Sequence, residues 1–197
     1  AARAAAWLAW TCVRGGDRVG TMVFGSQRAA VDPQPGTRGA LAVLGALARW
    51  DEQTFSAREE TAEPLSAALT RAQRMAMTGN RVWLLSDGWC TDASAAHALM
   101  RLKLHADVRV VILVDPLEHA LAPAGDYVFE TAAGRHRVDL SATSTRAELR
   151  NRLAHGWHAL AKACDEASVP WMRLATSDEP DVGLAPLLRR RVVERRR

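Results

Sequence analysis

The stretch Arg81-Val82-Trp83-Leu84-Leu85-Ser86-Asp87-Gly88 decides the fold, because it is an apolar run of strand length that ends in a carboxylate and a glycine. In an open α/β sheet, ligands bind in the crevice beyond the carboxyl ends of the strands. A Ser-Asp-Gly sequence placed there directs oxygen ligands into the crevice, and oxygen is the donor that hard cations prefer. The stretch therefore predicts a strand with a binding or metal site at its carboxyl end.

Strands and helices are predicted to alternate on both sides of this stretch. A β-branched run at residues 108–114 is typical of a strand buried on both faces of a parallel sheet. Other apolar patterns predict strands at residues 18–24, 29–32 and 170–176, of which 29–32 is predicted to run antiparallel to 18–24 after a turn at Gly25-Ser26. Helices are predicted at 1–13, 37–50, 64–79, 92–105, 144–167 and from about 183 onwards. This alternation predicts one α/β domain over residues 1–197, with a doubly wound, mostly parallel sheet and helices on both faces.

Three segments are predicted to lie outside that sheet. Residues 127–130 and 135–140 flank Thr131-Ala132-Ala133-Gly134 and are predicted to form a small appended hairpin. Pro33-Gln34-Pro35-Gly36 is predicted to be a loop, because prolines and glycine interrupt regular structure. Residues 51–62 are polar and are also predicted to be a loop.

The net charge of +4 on this chain of 197 residues is concentrated at its C-terminus. Residues 189–197 contain six arginines and one glutamate, a net of +5, so the remaining 188 residues sum to −1. A basic tail on a neutral body is typical of a solvated helix end, with an anionic membrane or nucleic acid as the alternative partner. No aromatic residues are interleaved with these arginines to stack on bases, so we do not expect nucleic acid binding.

Cysteine usage and hydropathy indicate the compartment. Cys12, Cys90 and Cys164 are odd in number and widely spaced, which favours a reducing compartment over a disulfide framework. No window reaches the roughly 18 apolar residues of a membrane span, and the start lacks the zones of a signal peptide. We expect a soluble, cytoplasmic chain.

The helical pattern begins at Ala1 without a capping residue before it, so we expect that an upstream segment has been lost.

Asp87 and Thr37 are the candidate metal ligands. Mg²⁺ requires near-octahedral oxygen coordination, which a single carboxylate cannot supply. Thr37 lies in Gly-Thr-Arg-Gly before a predicted helix, where we expect its hydroxyl and free backbone N–H groups at the same rim of the sheet as Asp87. In the alternative interpretation, Asp87 stabilises a loop and Thr37 caps its helix, without a metal.

Trp89 and a pair of histidines are further candidates. Trp89 follows Asp87 in the predicted cleft loop, where a large side chain would contact a partner protein or simply pack. His155 and His158 lie three residues apart on a predicted helix. They have no acidic or thiol partner at ligand spacing, so they are interpreted as solvated side chains.

The order of four short motifs resembles that of von Willebrand factor A-like domains, and more narrowly that of the bacterial family called domain of unknown function 58. These motifs are Gly-Asp-Arg-Val-Gly-x-x-x-Phe-Gly at residues 16–25, Gly-Thr-Arg-Gly-Ala-Leu at 36–41, Leu-Leu-Ser-Asp-Gly at 84–88 and Val-Val-Ile-Leu-Val-Asp-Pro at 110–116. Residues 122–125 and 176–180 also match the C-terminal half of that family. The resemblance covers nearly the whole chain.

This resemblance implies a metal-ion-dependent adhesion site built from three loops. The first is an Asp-x-Ser-x-Ser, the second supplies a threonine and the third an aspartate. Thr37 and Asp87 match the second and third loops, and the first loop is expected to precede Ala1. The resemblance also implies a central first strand that this chain lacks. We therefore expect poor stability unless the neighbouring strands pair directly.

The resemblance further implies a protein-binding module without catalytic activity. Its cleft would present Mg²⁺ to an acidic side chain of a partner, and related proteins are often encoded beside MoxR-type AAA+ ATPases. A metal-dependent hydrolase is one alternative, in which Asp115 at the end of the neighbouring strand would approach Asp87. A degenerate structural remnant without metal is the other. Full-length relatives tend to have a membrane anchor, for which this chain has no span.

Overall fold

A computed structural model describes residues 1–54, 62–119, 121, 123–131 and 134–189. It has a mixed α/β architecture, in which helices flank a three-stranded parallel sheet and two antiparallel hairpins. The strands are β1 (Arg18–Val23), β2 (Ala29–Pro35), β3 (Arg81–Ser86), β4 (Asp107–Val114), β5 (Asp126–Thr131), β6 (Gly134–Asp139) and β7 (Trp171–Ala175). The helices are α1 (Ala2–Arg14), α2 (Gly36–Thr54), α3 (Leu65–Met75), α4 (Ala95–Lys103), α5 (Pro116–His119), α6 (Thr143–Glu166) and α7 (Pro180–Arg189).

The parallel sheet has the strand order β3-β4-β7, with β4 in the centre. Leu84 of β3 lies opposite Val110 of β4, and Val110 in turn lies opposite Trp171 of β7. Val110, Val111 and Ile112 are completely buried. The β-branched run therefore forms a strand covered on both faces, as its composition predicts.

Alternate residues of β4 face two apolar clusters. Val110 and Ile112 belong to the cluster formed with α3, α4 and α6, whereas Val111 belongs to the cluster formed with α1 and α7. This division follows from the period of two along a strand, which directs successive side chains to opposite faces. Each such side chain contributes about 1.5–3 kcal/mol on full burial, so the two clusters hold the helices to the sheet.

The N-terminal hairpin pairs β1 with β2 in the antiparallel direction that the sequence predicts. Arg18 at the start of β1 lies opposite Pro35 at the end of β2. The prediction of a loop at residues 33–36 is wrong, because β2 continues through Pro35 and α2 begins at Gly36. The prolines are compatible with a strand here because, among the residues that the structure describes, β2 pairs only with β1, and an edge strand tolerates a residue without an N–H.

The hairpin is separate from the parallel sheet. Among the described residues, no strand pairing joins β1 to β3. The expectation of one continuous sheet is therefore met only in part, by three parallel strands with helices on both faces. The appended hairpin at residues 126–139 is confirmed, with Tyr127 opposite Val138.

Several helix boundaries differ from the sequence predictions. Helix α2 extends to Thr54, past the predicted loop start at residue 51, and residues 55–61 of that loop lie outside the described residues. Helix α4 begins at Ala95, because Asp92 accepts hydrogen bonds from the backbone N–H groups of Ser66 and Ser94 instead of starting the helix. The arginine tail at residues 190–197 also lies outside the described residues. Within the described ranges, no helix combines the length and apolarity of a transmembrane segment.

Strands β1 and β3 end at the same edge of the molecule, called here the carboxyl edge. The N–H of Glu63 donates to the carbonyl of Gly25, just after β1, at 2.9 Å. Two residues later, the N–H of Leu65 donates to the carbonyl of Cys90, after β3, at 2.8 Å. Residues 63–65 therefore bridge the ends of the two strands.

A buried arginine ties β4 to the helix that closes the chain. Arg109 is 2% exposed, and its Nη1 donates to the carbonyl of Leu187 in α7. Its Nη2 donates to Asp107 Oδ2 at 3.0 Å, while Arg81 Nε donates to the same oxygen at 2.8 Å. Burial alone raises the pKa of Asp107, but hydrogen bonds from Arg109 and Arg81 outweigh burial and leave that pKa lowered.

The loop after β3 is fastened to α6 by two glycines in direct contact. Gly88 has a φ of +85°, and a Cβ at this position would overlap the carbonyl of Gly156. A Cβ on Gly156 would lie 2.9 Å from the carbonyl oxygen of Asp87 and 3.1 Å from the nitrogen of Trp89. Two residues without side chains are therefore required where this loop meets the helix.

We predict that Asp107→Asn lowers the free energy of unfolding by about 3 kcal/mol near neutral pH, because it removes the Asp107 carboxylate from beside the buried Arg109. The pKa of Asp107 is lowered in the folded state, so its stabilisation is complete above the unfolded value of about 3.9 and is lost as the pH falls through the folded value. Urea titrations at about pH 7 and about pH 3 should therefore show a difference between variant and parent that shrinks in acid.

Asp126→Asn is the matched control, because the ion pair of Asp126 with Arg137 is exposed on both sides. Such a pair contributes about 0–1 kcal/mol. A loss for Asp107→Asn that is equally small, or that persists unchanged in acid, would contradict the prediction.

We predict that Gly156→Ala destabilises the chain, because a Cβ in this contact costs about 1–3 kcal/mol, more than the gain of up to about 1 kcal/mol in helix propensity. Gly45→Ala in α2 is the control, since the nearest atom to its Cβ would be Arg49 Nη1 at 3.5 Å. This control is expected to gain stability. Equal urea midpoints for the two variants would show that the loop does not depend on the glycine contact.

Candidate functional site

The candidate site is the loop that leaves β3 at the carboxyl edge. The N–H of Gly88 donates to Ser86 Oγ at 3.1 Å, and the N–H of Trp89 donates to Asp87 Oδ1 at 3.1 Å. Asp87 and Trp89 are exposed, while Gly88 is buried between them against α6. The carboxylate of Asp87 therefore shapes its own loop, as the alternative interpretation of this residue states.

Trp89 covers one side of an open cavity of about 650 Å³. The other side is the face of α6 that carries Glu148, Asn151, Arg152 and His155. The rings of Trp89 and His155 are inclined at 50°, with centroids 6.1 Å apart. A 55% exposed indole beside neutral and charged polar groups is an arrangement suited to protein contacts.

Sequence reasoning did not identify the α6 side of this cavity. His155 was considered only as a partner of His158, which does not line the cavity. The available signal was the spacing of Glu148, Arg152 and His155, because residues four and seven positions apart share one helix face. That spacing does not reveal that this face meets Trp89, which depends on how α6 packs against the loop.

Thr37 lies at the opposite edge of the molecule from Asp87. Because β2 runs antiparallel to β1, its end at Pro35 lies beside Arg18 at the start of β1. Helix α2 starts there and runs towards the carboxyl edge, where its residue Asp51 and also Asp87 lie close enough to Ala1 for their charges to act at this position.

The length of α2 sets the distance between Thr37 and the carboxyl edge. Fourteen residues of helix at 1.5 Å per residue place Thr37 about 20 Å from Asp51. The structure therefore does not bring Thr37 and Asp87 together, which is a correction to the predicted shared rim. The antiparallel hairpin, itself predicted correctly, is the physical reason, because it returns the chain to the far edge before α2 begins.

The structure does not bring together the two predicted magnesium ligands, Thr37 and Asp87, and magnesium binding stays a prediction. Among them, no group of three or more His, Cys, Asp and Glu side chains lies close enough to hold a metal ion. Asp115, the carboxylate considered for a hydrolase, follows β4 and accepts a hydrogen bond from the N–H of Leu117 at 2.8 Å. Asp87 likewise accepts from Trp89. Both carboxylates thus stabilise turns at strand ends, and the hydrolase interpretation stays a hypothesis.

All three cysteines are free thiols. Burial raises the pKa of Cys12 and Cys90, and raises the pKa of Cys164 to about 12. The thiolate is the reactive form, so these residues are poor nucleophiles.

Comparisons with known proteins place the chain in a family. A family profile described as "Protein of unknown function DUF58" matches residues 1–159. No curated protein matches the chain. The structure is similar to the crystal structure of conserved hypothetical protein BatB from Bacteroides thetaiotaomicron, with a TM-score of 0.56 and 15% identity, over 95% of this chain and 86% of that one. At this identity the similarity concerns the fold alone.

A second solved structure, of an uncharacterized membrane spanning protein from Vibrio fischeri, is 18% identical over 95% of this chain and 81% of that one. Its TM-score of 0.24 is too low to carry a structural argument. The family match rests on the sequence itself and covers most of the chain. The chain therefore belongs to the DUF58 family.

Proposed function

We propose that this chain is a protein-binding module that contacts its partner through Trp89 and the adjacent cavity on α6. The observation that carries the proposal is the exposure of Trp89, 55%, on a loop held by hydrogen bonds and a glycine contact. Tryptophan is enriched among the residues that dominate binding energy at protein interfaces. The proposed fold is the von Willebrand A-like type, for which the parallel sheet flanked by helices is the supporting feature.

The rigidity of the loop supports a binding role for Trp89. A side chain that is already ordered loses less conformational entropy when a partner covers it. A larger share of the free energy gained by burying it therefore contributes to the binding affinity. Ser86 and Asp87 accept hydrogen bonds from the next residues of the loop, and Gly88 rests on Gly156. The main chain that carries the indole is therefore fixed before binding.

The chemistry of the cavity favours a partner segment with both apolar and polar groups. Trp89 and His155 offer ring surfaces, whereas Glu148 and Arg152 offer one charge of each sign. Such mixed surroundings favour an apolar anchor flanked by hydrogen-bonding groups. We propose a MoxR-type AAA+ ATPase as the partner, on the basis of the family resemblance, and the cytoplasm as the compartment, where its ATP is available.

The proposed contact does not depend on Mg²⁺. Within the described part of the chain, Asp87 is not part of a group of three or more His, Cys, Asp and Glu side chains that could hold a metal ion. Binding through an aromatic anchor needs only apolar burial and hydrogen bonds. A chelator is therefore expected to leave the affinity unchanged.

We predict that Trp89→Ala weakens binding to the purified MoxR-type ATPase from the same genome by about tenfold or more, equivalent to about 1.4 kcal/mol. The loss is expected because the indole is the largest exposed apolar surface beside the cavity. Isothermal titration calorimetry with and without EDTA measures the affinity and its metal dependence.

Trp10→Ala is the matched control, because Trp10 is another partly exposed tryptophan, 37% exposed, on α1. It does not line the cavity, so its replacement should leave the affinity within about twofold of the parent. Equal losses for the two variants would refute the assignment of the binding surface. Binding that disappears in EDTA would refute the metal-independent mechanism.

A further inference from the structure

We infer that the edge of the parallel sheet where its strands begin carries a second docking surface, and that this surface binds an acidic amphipathic helix of a partner protein. The surface is called here the amino-edge patch, and it consists of Met77, Met100 and Leu104 with the cations Arg74, Arg101 and Lys103. The inference goes beyond the proposed function, because Trp89 lies at the opposite, carboxyl edge.

Helices α3 and α4 both end at the amino edge, which brings the patch residues together. β3 and β4 run parallel and begin opposite each other. Helix α3 leads into β3 through residues 76–80, and α4 leads into β4 through residues 104–106. The N–H of Asp107 donates to the carbonyl of Asn80 at 2.9 Å, which joins the two connections. The two helix ends are therefore neighbours.

The apolar part of the patch is largely exposed to solvent. Leu104 is 79% exposed, Met77 74% and Met100 42%. Leu104 is the C-cap residue of α4 and keeps helical dihedral angles, so it lies about 6 Å along the same helix face as Met100. Methionine is flexible and polarizable, and it is common on surfaces that adapt to a partner. These side chains therefore form an apolar stripe suited to burial against another protein.

Cations stand on both sides of this stripe. Arg101 lies on the side of α3, because its Nη2 donates to Gln73 Oε1 at 3.0 Å. Lys103 lies on the side of α6, because its Nζ donates to the carbonyl of Ser168 at 2.6 Å. Both acceptors are uncharged, so these bonds fix the position of the cations without neutralising them. Arg74, next to Gln73, is also exposed.

The two segments that form the patch contain no acidic residue. Residues 65–80 and 93–106 carry Arg71 and the three patch cations but no aspartate or glutamate. Arg71 is paired with the buried Glu63, which leaves the three exposed cations. The carboxylates that border the patch are bonded elsewhere in the protein, namely Asp92, Asp107, Asp165 and Glu166. An acidic partner would therefore complement the charge of this surface.

The backbone at the patch favours a helical occupant. The patch consists of helix sides and turns, and the N–H groups of Asn80, Leu104 and Asp107 all donate to carbonyls of the chain itself. An added strand needs free backbone groups, whereas an amphipathic helix binds through its side chains. Apolar residues at i, i+3 and i+4 would cover the stripe, and glutamates beside them would face the cations.

An anionic membrane is the other surface that would offer negative charge. Helices that bind membrane surfaces place Trp, Phe and Leu in the lipid. The amino-edge patch has two methionines, one leucine and no aromatic residue. Its composition therefore favours a protein partner.

Methyl NMR of methionine in the whole chain tests the patch. The probe is an acetylated and amidated peptide of about four helical turns, with leucines along one face and glutamates on both borders. The control peptide has the same composition, with the leucines distributed evenly around the helix. The probe is expected to shift the methyl signals of Met77 and Met100, but not those of Met22 in β1 and Met172 in β7. The control peptide should shift none of them.

Two variants test the apolar and the charged parts of the patch. Leu104→Ser is expected to weaken binding of the probe by about tenfold. Val182→Ser is its matched control, because Val182 is 74% exposed on α7, and it should stay within about twofold of the parent. Arg74→Glu combined with Arg101→Glu is expected to weaken the glutamate peptide by about tenfold and to favour a peptide with lysine in place of glutamate.

Four results would overturn the inference. Unchanged signals of Met77 and Met100 would show that the patch does not accept a helix. Equal binding of the control peptide, or of the lysine and glutamate peptides to the parent, would show apolar adhesion without charge recognition. Sedimentation with phosphatidylglycerol vesicles that Leu104→Ser abolishes would assign the patch to a membrane. Trp89→Ala separates this test from the proposed function, because that variant should bind the probe like the parent.

Discussion

Burial of β4 on both faces is the constraint on which the rest of the structure depends. Its side chains alternate between two apolar clusters, so helices must cover both faces of the parallel sheet. Because the faces are covered, the ends of the strands are where polar groups reach solvent. The exposed positions of Asp87 and Trp89 at the end of β3 follow from this arrangement.

The loop after β3 shows how a sequence typical of a metal site serves a different structural purpose. The carboxylate of Asp87 accepts a hydrogen bond from the nitrogen of Trp89, and the hydroxyl of Ser86 accepts one from Gly88. These bonds close a turn and hold the indole away from the core. The proposed binding surface therefore uses an aromatic side chain, and the packing of α6 brings His155 next to it.

Strand β3 pairs with β4, and its carboxyl end continues into the loop that carries Trp89. Residues 63–65 connect the end of β1 with the segment after β3, and the buried Glu63 is itself paired with Arg71 of α3. The loop that carries Trp89 is therefore anchored to the end of β1 as well as to α6.

Local pattern determined most of the secondary structure. The apolar periods of β3, β4 and α6, and the glycine at the start of β6, are local signals that act over a few residues. The continuation of β2 through Pro35 escaped prediction, because a proline is acceptable in a strand only where its missing N–H faces no partner, a condition set by the edge position of β2. Sequence also placed Asp87 and Trp89 correctly in one loop.

What only the tertiary structure decided is which distant residues share an edge. Thr37 and Asp87 were assigned to one rim from the order of elements, but strand direction in the first hairpin separates them by the length of α2. His155 and Gly156 were brought to Trp89 by helix packing, for which no local rule exists. The sequence by itself therefore determined the helices, the strands and the exposed turns between them. The direction of the strands and the packing of α6 against the Trp89 loop depend on residues far apart in the chain, so only the tertiary structure determined the candidate site.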